Sequence, residues 1–400
     1  MSGIANYPRA TIEVTAGTNG YLQLKEPKLR GGSEKLYVRT EKFADYFKFT
    51  VLVNQETQNI WISSKQLVEK FSIVPKLAEL ASELDQLILI LFFKTVVWVL
   101  FQHNSTTSIK QHLLTLATEQ CKERSFAFSA KLYNLPQRVY ITPTFIGYAI
   151  KHSLIGQGSY AKVKLAKDLN QNVFALRVCH LDGSNAEEIA REYKGLEELR
   201  KLQNNPGVID LLGSYIYKER YRQTFITVHT YCPTSNLPIQ GLSPQTQWHY
   251  ANELLRTLAN LEIAHGDLKR ANIVIDKDDQ IKLIDFSFCR RAGDTNFQPA
   301  APYLAPECYT SPNPPIKTLD VWPAALILWE LFSENVDVYN WLRSDDPRLT
   351  EEVITEELNE EERFSPELKK LLTNMLIIDP TKRWERQFVY AWFQENIPPP

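Results

Sequence analysis

The sequence predicts an α+β protein in two parts: a separate α+β region over residues 1–145, then a larger part over residues 146–396 that starts β-rich and becomes helical. Three observations predict this. Tyr46–Val53 and Asn59–Ser63 set β-branched and aromatic residues around a polar NQETQ turn, the pattern of a hairpin. Glycines at 156 and 158 precede an alternation of Lys162 and Lys164 with Val163 and Leu165, the pattern of a strand entered from a tight turn. A charged segment, Ala186–Leu202, reads as a helix within the second part.

In the first part, residues from about 8 to 63 read as strands. Ser63 with Gln66 forms a capping-box pattern that opens a helix through Phe71. Pro75 suits a first helical turn, and an apolar helix is expected to Gln102. The polar run His103–Ser108 breaks it, and Ile109–Cys121 continues with Leu113, Leu114, Leu116 and Ala117 on one face. Asn134–Pro143 reads as loop and short strand. Leu87–Phe101 is strongly apolar, but it is shorter than the about 20 residues of a spanning helix and carries Lys94. A buried core helix is expected there, and no membrane span. The region holds no chemical constellation, so docking to a protein partner, regulation or structural support is expected of it.

Composition narrows the class. Hydrophobic residues at 44% and charged residues at 23% suit a soluble globular protein with a sizeable core. The 45 basic and 47 acidic residues leave a net charge of -2, which gives no field for nucleic acid or an anionic membrane. The five cysteines are odd in number and form no CxxC pair, which argues against a disulfide framework or zinc site and for a reducing compartment. MSGIANYPRATIEV has no basic segment followed by an apolar run, so no secretory signal is read and a cytoplasmic location is expected. The acidic run Thr350–Arg363 reads as a solvated loop or helix face.

The chemistry concentrates in the second part. Ile155-Gly-Gln-Gly158 lets backbone approach a phosphate closely. A third strand, Asn172–Cys179, carries Ala175 and Arg177, and the following helix carries Glu192. His265–Asn272 reads HGDLKRAN, and a strand IVIDKDDQIKLIDF follows, with Asp285 before Phe286 and Ser287. Ala305-Pro-Glu307 comes next. Asn272 and Asp285 offer hard oxygen ligands that suit magnesium. A carboxylate such as Asp267 can accept a hydroxyl proton, and an ammonium such as Lys269 can act as a point charge for a phosphate.

In this order and spacing the motifs resemble the eukaryotic-type protein kinases, nearer the serine/threonine than the tyrosine type, over about Tyr148–Phe393. The resemblance implies a bilobal fold, with a small β-rich N-lobe and a large helical C-lobe, and transfer of the ATP γ-phosphate to a protein hydroxyl. It implies Asp267 and Lys269 as catalytic residues and Asn272 and Asp285 as ligands of Mg2+, with Mn2+ as a substitute. ATP is then expected to meet Ile155, Gly156, Gly158, Val163, Ala175, Arg177, Glu192 and Val274. Leu196, Leu211, Phe286 and His265 fall on the family's regulatory column, and His229 behind the adenine slot as a core histidine. Asp320-Val-Trp322 matches the helix that anchors the catalytic loop, and Arg383 is expected to pair with Glu307.

Several positions depart from the family pattern. Arg177 replaces the lysine that holds the α- and β-phosphates, and Ala161 the third glycine of the loop. Gly266 replaces the arginine that receives a phosphorylated activation-segment residue, which implies no control of that kind. Ser287 replaces a glycine, Ala300 a threonine that braces Asp267 and Lys269, and Ala325 a glycine in packing. Two alternatives to an active kinase stay open: a pseudokinase serving as an ATP-binding or scaffolding module, and another ATP-dependent transfer such as nucleotidylation. By analogy, an unfamiliar N-terminal region beside a degenerate kinase domain fits a bacterial effector delivered to a host cell.

Overall fold

A computed structural model describes the strand segments 12–16, 22–25, 37–42, 46–53, 56–63 and 128–131, a few positions between 114 and 122, and most of 138–400. Within 138–400, residues 143–144, 158–160, 169, 183–184, 220–221, 295–302, 312, 336–337, 339–341, 343–345 and 347–348 fall outside that description. Ser63 ends a strand, and the rest of the helix expected to Phe71, the helix expected over 75–102, the apolar run 87–101, Cys121, Gly158 and Ala300 lie outside the described residues. Among the described residues no helix is long and apolar enough to cross a membrane.

The strands are β1 (Ile12–Ala16), β2 (Leu22–Lys25), β3 (Tyr37–Lys42), β4 (Tyr46–Val53), β5 (Glu56–Ser63), β6 (Phe128–Lys131) and β7 (Arg138–Ile141). They are followed by β8 (Ile146–Gln157), β9 (Ala161–Asp168), β10 (Val173–Asp182), β11 (Leu211–Glu219), β12 (Arg222–Thr230), β13 (Ile273–Ile275) and β14 (Ile281–Leu283). The helices are α1 (Ala186–Lys201), α2 (Pro244–Ala259), α3 (Glu307–Thr310), α4 (Ile316–Leu319), α5 (Val321–Ser333), α6 (Glu351–Glu360), α7 (Pro366–Met375) and α8 (Arg386–Asn396). The chain divides into two units, residues 1–184 with 212–230, and residues 185–211 with 231–400. A β-sheet lobe and a helical lobe are therefore the architecture, as the motifs implied.

The first unit is built on a nine-stranded sheet in the order β11-β12-β10-β9-β8-β7-β6-β1-β2. The expected hairpin at 46–63 is present as β4 and β5, paired from Tyr46 with Ser63 to Val53 with Glu56, so its turn is shorter than NQETQ. Pairing in the large sheet runs across residue 145: β7 pairs β8 antiparallel from Arg138 with Ala149 to Ile141 with Ile146. Tyr140 and Phe145 are buried in one cluster with Ala149, Ala166, Leu176, Ile226 and Val228. The Phe145 ring meets Phe174 edge-on at 5.4 Å. Removing an aromatic ring from such a core costs about 3–5 kcal/mol. Phe145→Ala is therefore expected to lower unfolding stability by about 3 kcal/mol or more, read by denaturant titration. A value below about 1 kcal/mol would show that this ring is not part of the core.

The second unit is organised around α5. An apolar helix on all sides must be buried on all sides, and Trp322, Leu328 and Leu331 are fully enclosed while Trp329 is nearly so. The segment expected as one strand after HGDLKRAN is instead a hairpin of β13 and β14. The turn residues DKDD cause the break. Asp276 Oδ1 accepts from the amides of Asp278 at 2.9 Å and Gln280 at 3.0 Å, and Asp279 takes a φ of 59°. Side-chain acceptance of this kind offers the backbone a turn in place of a ladder. The acidic run forms α6, capped by Thr350 and burying only Ile354 and Leu358.

Candidate functional site

The loop from Ala264 to Asn272 is held from three directions. Ala264 and Arg290 exchange two backbone hydrogen bonds, each 2.9 Å. The Asp320 carboxylate at the start of α5 accepts from the amides of His265 at 2.6 Å and Gly266 at 3.0 Å. His265 is fully buried, with its ring 4.8 Å from that of Phe286. Its Nδ1 accepts from the Asp267 amide at 3.3 Å, so Nε2 carries the proton and donates to the Ile284 carbonyl at 2.9 Å. Asp320 thus anchors the loop through its backbone amides, and His265 adds a bond to the Asp267 amide.

Gly266 is required by this geometry. Its φ is +75°, and a Cβ placed there would lie 2.2 Å from the Phe288 carbonyl oxygen. A left-handed conformation costs a non-glycine residue about 1–2 kcal/mol. A backbone clash cannot be relieved by a rotamer change. Gly266→Arg, which would restore the family's residue, is expected to cost about 2–4 kcal/mol of stability. A melting temperature within about 1 °C of wild type would contradict this.

Within the loop, Asp267 is 3% exposed. Its Oδ2 accepts from Lys269 Nζ at 2.8 Å and Asn272 Nδ2 at 2.9 Å. The same Nδ2 also donates to the Asp267 carbonyl at 2.8 Å. The amide nitrogen of Asn272 is thereby spent on Asp267, which leaves Oδ1 as its remaining side-chain acceptor. Asp267 Oδ1 is buried and has no hydrogen-bond partner among the described residues. An orphaned buried carboxylate oxygen is costly unless a ligand completes it.

Asp285 follows directly on this framework, because the Ile284 amide donates to the Asn272 carbonyl at 3.0 Å. Asp285 is exposed, at φ 64° and ψ 75°, and its Oδ1 accepts from the Ser287 amide at 3.4 Å and from the Ser287 hydroxyl. Asp267, Lys269, Asn272 and Asp285 therefore share one hydrogen-bonded frame. The next turn, Phe286–Phe288, lies against α1 at Gly195, where a Cβ would come 2.8 Å from the Phe286 carbonyl oxygen. Glu192 is on the same helix, half-buried, with Leu196 buried one turn on. Leu211 packs against the core that contains Phe286, and Val274 is buried in β13 within that core.

The remaining expected nucleotide residues lie on neighbouring strands of the first unit. Val163 pairs with Gly156 across β8 and with Arg177 across β10, and Ala175 pairs with Leu165 and His229. Leu176 and Ala166 point into the core, so by alternation Ala175, Arg177 and Val163 share the opposite, half-buried face. Ile155 precedes Gly156 on β8 and is also half-buried. His229 Nε2 lies 2.8 Å from the Thr227 hydroxyl, as a structural histidine would.

The pairing of Arg383 with Glu307 is present and buried. Arg383 Nη1 and Nη2 donate to the two carboxylate oxygens at 2.6 and 2.8 Å, and its guanidinium lies 5.2 Å from the Trp322 ring. Cys289 and Cys308 are buried free thiols whose burial pushes their pKa up to about 12, so they are not nucleophiles.

Two groups escaped the sequence reading. One is the trio in which the buried Tyr303 hydroxyl donates to Glu330 at 3.1 Å while Arg270 approaches the same carboxylate at 3.7 Å. The other is the charged turn Arg290–Asp294 on α1. Neither has a motif, because both depend on partners that are distant in the chain.

A β-sheet lobe, a helical lobe and a loop that aligns an aspartate, a lysine and an asparagine define the protein kinase class. The chain belongs to the protein kinase family: the protein kinase domain matches residues 149–391. It is similar to the mouse (Mus musculus) serine/threonine-protein kinase SIK1, 26% identical over 257 residues that make up 60% of this chain and 32% of that protein. It is similar to serine/threonine-protein kinase akt-1 of Caenorhabditis elegans, 27% identical over 252 residues, 58% of this chain and 44% of that protein. The human (Homo sapiens) RAC-beta serine/threonine-protein kinase is 26% identical over 243 residues, 58% of this chain and 49% of that protein. The chain thus matches less than half the length of each of these relatives.

Proposed function

We propose that this chain is an active kinase that transfers the γ-phosphate of ATP to a serine or threonine hydroxyl of a protein. The observation that carries the reading is Asp267 Oδ1, a buried carboxylate oxygen with no partner, beside a lysine and an asparagine that already hold Oδ2. A hydroxyl donor would supply the hydrogen bond that this oxygen lacks among the described residues. Asp267 accepts the proton of the substrate hydroxyl as its oxygen bonds to the γ-phosphorus and the bond to the β-phosphate oxygen breaks, releasing ADP. Lys269 balances charge on the transferred group, since its Nζ is already fixed 2.8 Å from Asp267.

Asn272 Oδ1 and the exposed Asp285 carboxylate are hard oxygen donors that would hold magnesium, or manganese in its place. When bound, such an ion neutralises phosphate charge. Gly156, Val163, Ala175 and Arg177 would meet the nucleotide, with Arg177 serving in place of a lysine.

Arg177 is also the observation that favours a second reading. It is planar and more demanding than lysine, so a pseudokinase that holds ATP without transfer is the rival. The test is transfer of label from ATP with magnesium or manganese to a generic protein substrate. Transfer that is lost in Asp267→Asn and Asp285→Ala, and kept or raised in Arg177→Lys, supports the kinase. No transfer with a nucleotide-dependent rise in melting temperature would support the pseudokinase, and AMP on the protein would support nucleotidylation.

A further inference from the structure

The charged turn after Asp285 has no part in the chemistry above, yet it meets α1 through two ion pairs. Arg291 Nε lies 3.1 Å from both oxygens of Glu198, and its Nη2 lies 2.5 Å from Oε2. Lys201 Nζ adds a contact to Glu198 at 2.8 Å. One turn earlier, Lys194 Nζ donates to Asp294 Oδ2 at 2.5 Å. Residues four apart share a helix face, so Lys194 and Glu198 grip the same turn. Arg191, a further three residues back, holds its guanidinium 5.2 Å from the Phe288 ring.

The gripped turn is closed on itself. Asp294 Oδ2 accepts from the Arg291 amide at 2.7 Å, and Arg290 Nη2 donates to the Asp294 carbonyl at 2.5 Å. The backbone of Arg290 is bonded twice to Ala264, three residues before Asp267. A continuous path of bonds therefore runs from α1, which bears Glu192, through residues 290–294 to the catalytic loop.

An isolated surface ion pair is worth little, but a networked bidentate pair is the exception. Glu198 is 6% exposed at its side chain and takes two cations. The Arg291 guanidinium beside it holds its carboxyl below the usual carboxylate range. Gly266, where the family has an arginine, offers no cation for a phosphate and has no room for a side chain. Of the hydroxyls between Asp285 and Glu307, Ser287 donates to Asp285 and Tyr303 is buried on Glu330, while Thr295 lies outside the described residues.

We propose that the pairs Glu198–Arg291 and Lys194–Asp294 are a charge clamp that holds α1 and the Asp285 turn in their working arrangement without a phosphorylated residue. Lys194, Glu198, Arg291 and Asp294 are then positioning residues. The proposal rests on the kinase reading above for its effect on turnover, and on the geometry alone for its effect on order.

The test uses the full chain after phosphatase treatment. Hydrogen exchange is followed at the amides of Arg290 and Asp294, and kcat and KM are measured with a generic protein substrate. Phosphatase treatment is expected to leave kcat within about twofold. Glu198→Arg and Arg291→Glu are each expected to speed exchange about tenfold and to lower kcat about tenfold, with KM within about twofold. The double variant that exchanges the two charges of Glu198 and Arg291 should recover both quantities. Single variants that exchange like wild type would overturn the clamp, as would a tenfold fall in kcat after phosphatase treatment. If wild type transfers no phosphate, the kinase reading fails by itself, and the exchange rates still decide the clamp.

Discussion

Asp267→Asn is expected to lower kcat by about 10²–10⁴-fold while the protein keeps its fold and its affinity for nucleotide. The side chain is nearly isosteric, and one oxygen remains to accept from Lys269 and Asn272, which both now donate to Oδ2. What disappears is the second carboxylate oxygen, the one with no partner among the described residues. An amide group there donates where a hydroxyl proton has to be accepted. Loss of kcat with little change in KM would identify an interaction made at the transition state, not in substrate binding. A variant that transfers phosphate at the wild-type rate would sink the assignment. So would one that melts far below wild type, since Asp267 would then be serving the fold.

The second large effect concerns Glu307 and Arg383. Arg383 is wholly enclosed at its side chain, at 0% exposure, with Glu307 at 5%. Removing one partner of a buried pair leaves the other charge unpaired, at about 3–5 kcal/mol. Glu307→Ala is therefore expected to lower the melting temperature by about 10 °C. Replacing both residues by apolar ones of similar volume should restore much of the loss, because the penalty comes from the abandoned charge more than from the lost attraction. The double variant would not recover fully, since Arg383 also donates to the Ile377 carbonyl at 2.8 Å. Equal losses in the single and double variants would mean that backbone contacts, not the pair, carry the stability.

Much of the site was legible in the residues, because ion chemistry restricts side-chain type. The family pattern points to Asp267, Lys269, Asn272 and Asp285, and the first three meet through the Asp267 carboxylate. Arg383 and Glu307, 76 positions apart, were paired from the family pattern and meet as a bidentate pair. The IVIDKDDQIKLIDF strand misled, because two short β-branched runs read as one when the capping role of Asp276 is overlooked. Tyr140 and Phe145 were assigned to a region of their own, although their rings lie in a core with Leu176 and Ile226. Alternation in a sequence shows that a strand has a buried face, but not which strands share it.

For the HGDLKRAN loop, the sequence by itself determined the donor set and the family, since a phosphate, a metal and a hydroxyl each admit few residue types. It also determined that no arginine precedes Asp267. The tertiary structure decided why none can: Gly266 at φ +75° sits against the Phe288 carbonyl, which leaves no space for a Cβ. The structure alone decided that Glu198 and Arg291, 93 positions apart, would meet on α1. A charge in a sequence has no address. Its partner is fixed only when the backbone closes, and a surface carboxylate becomes a clamp only when folding removes the water that would otherwise solvate it.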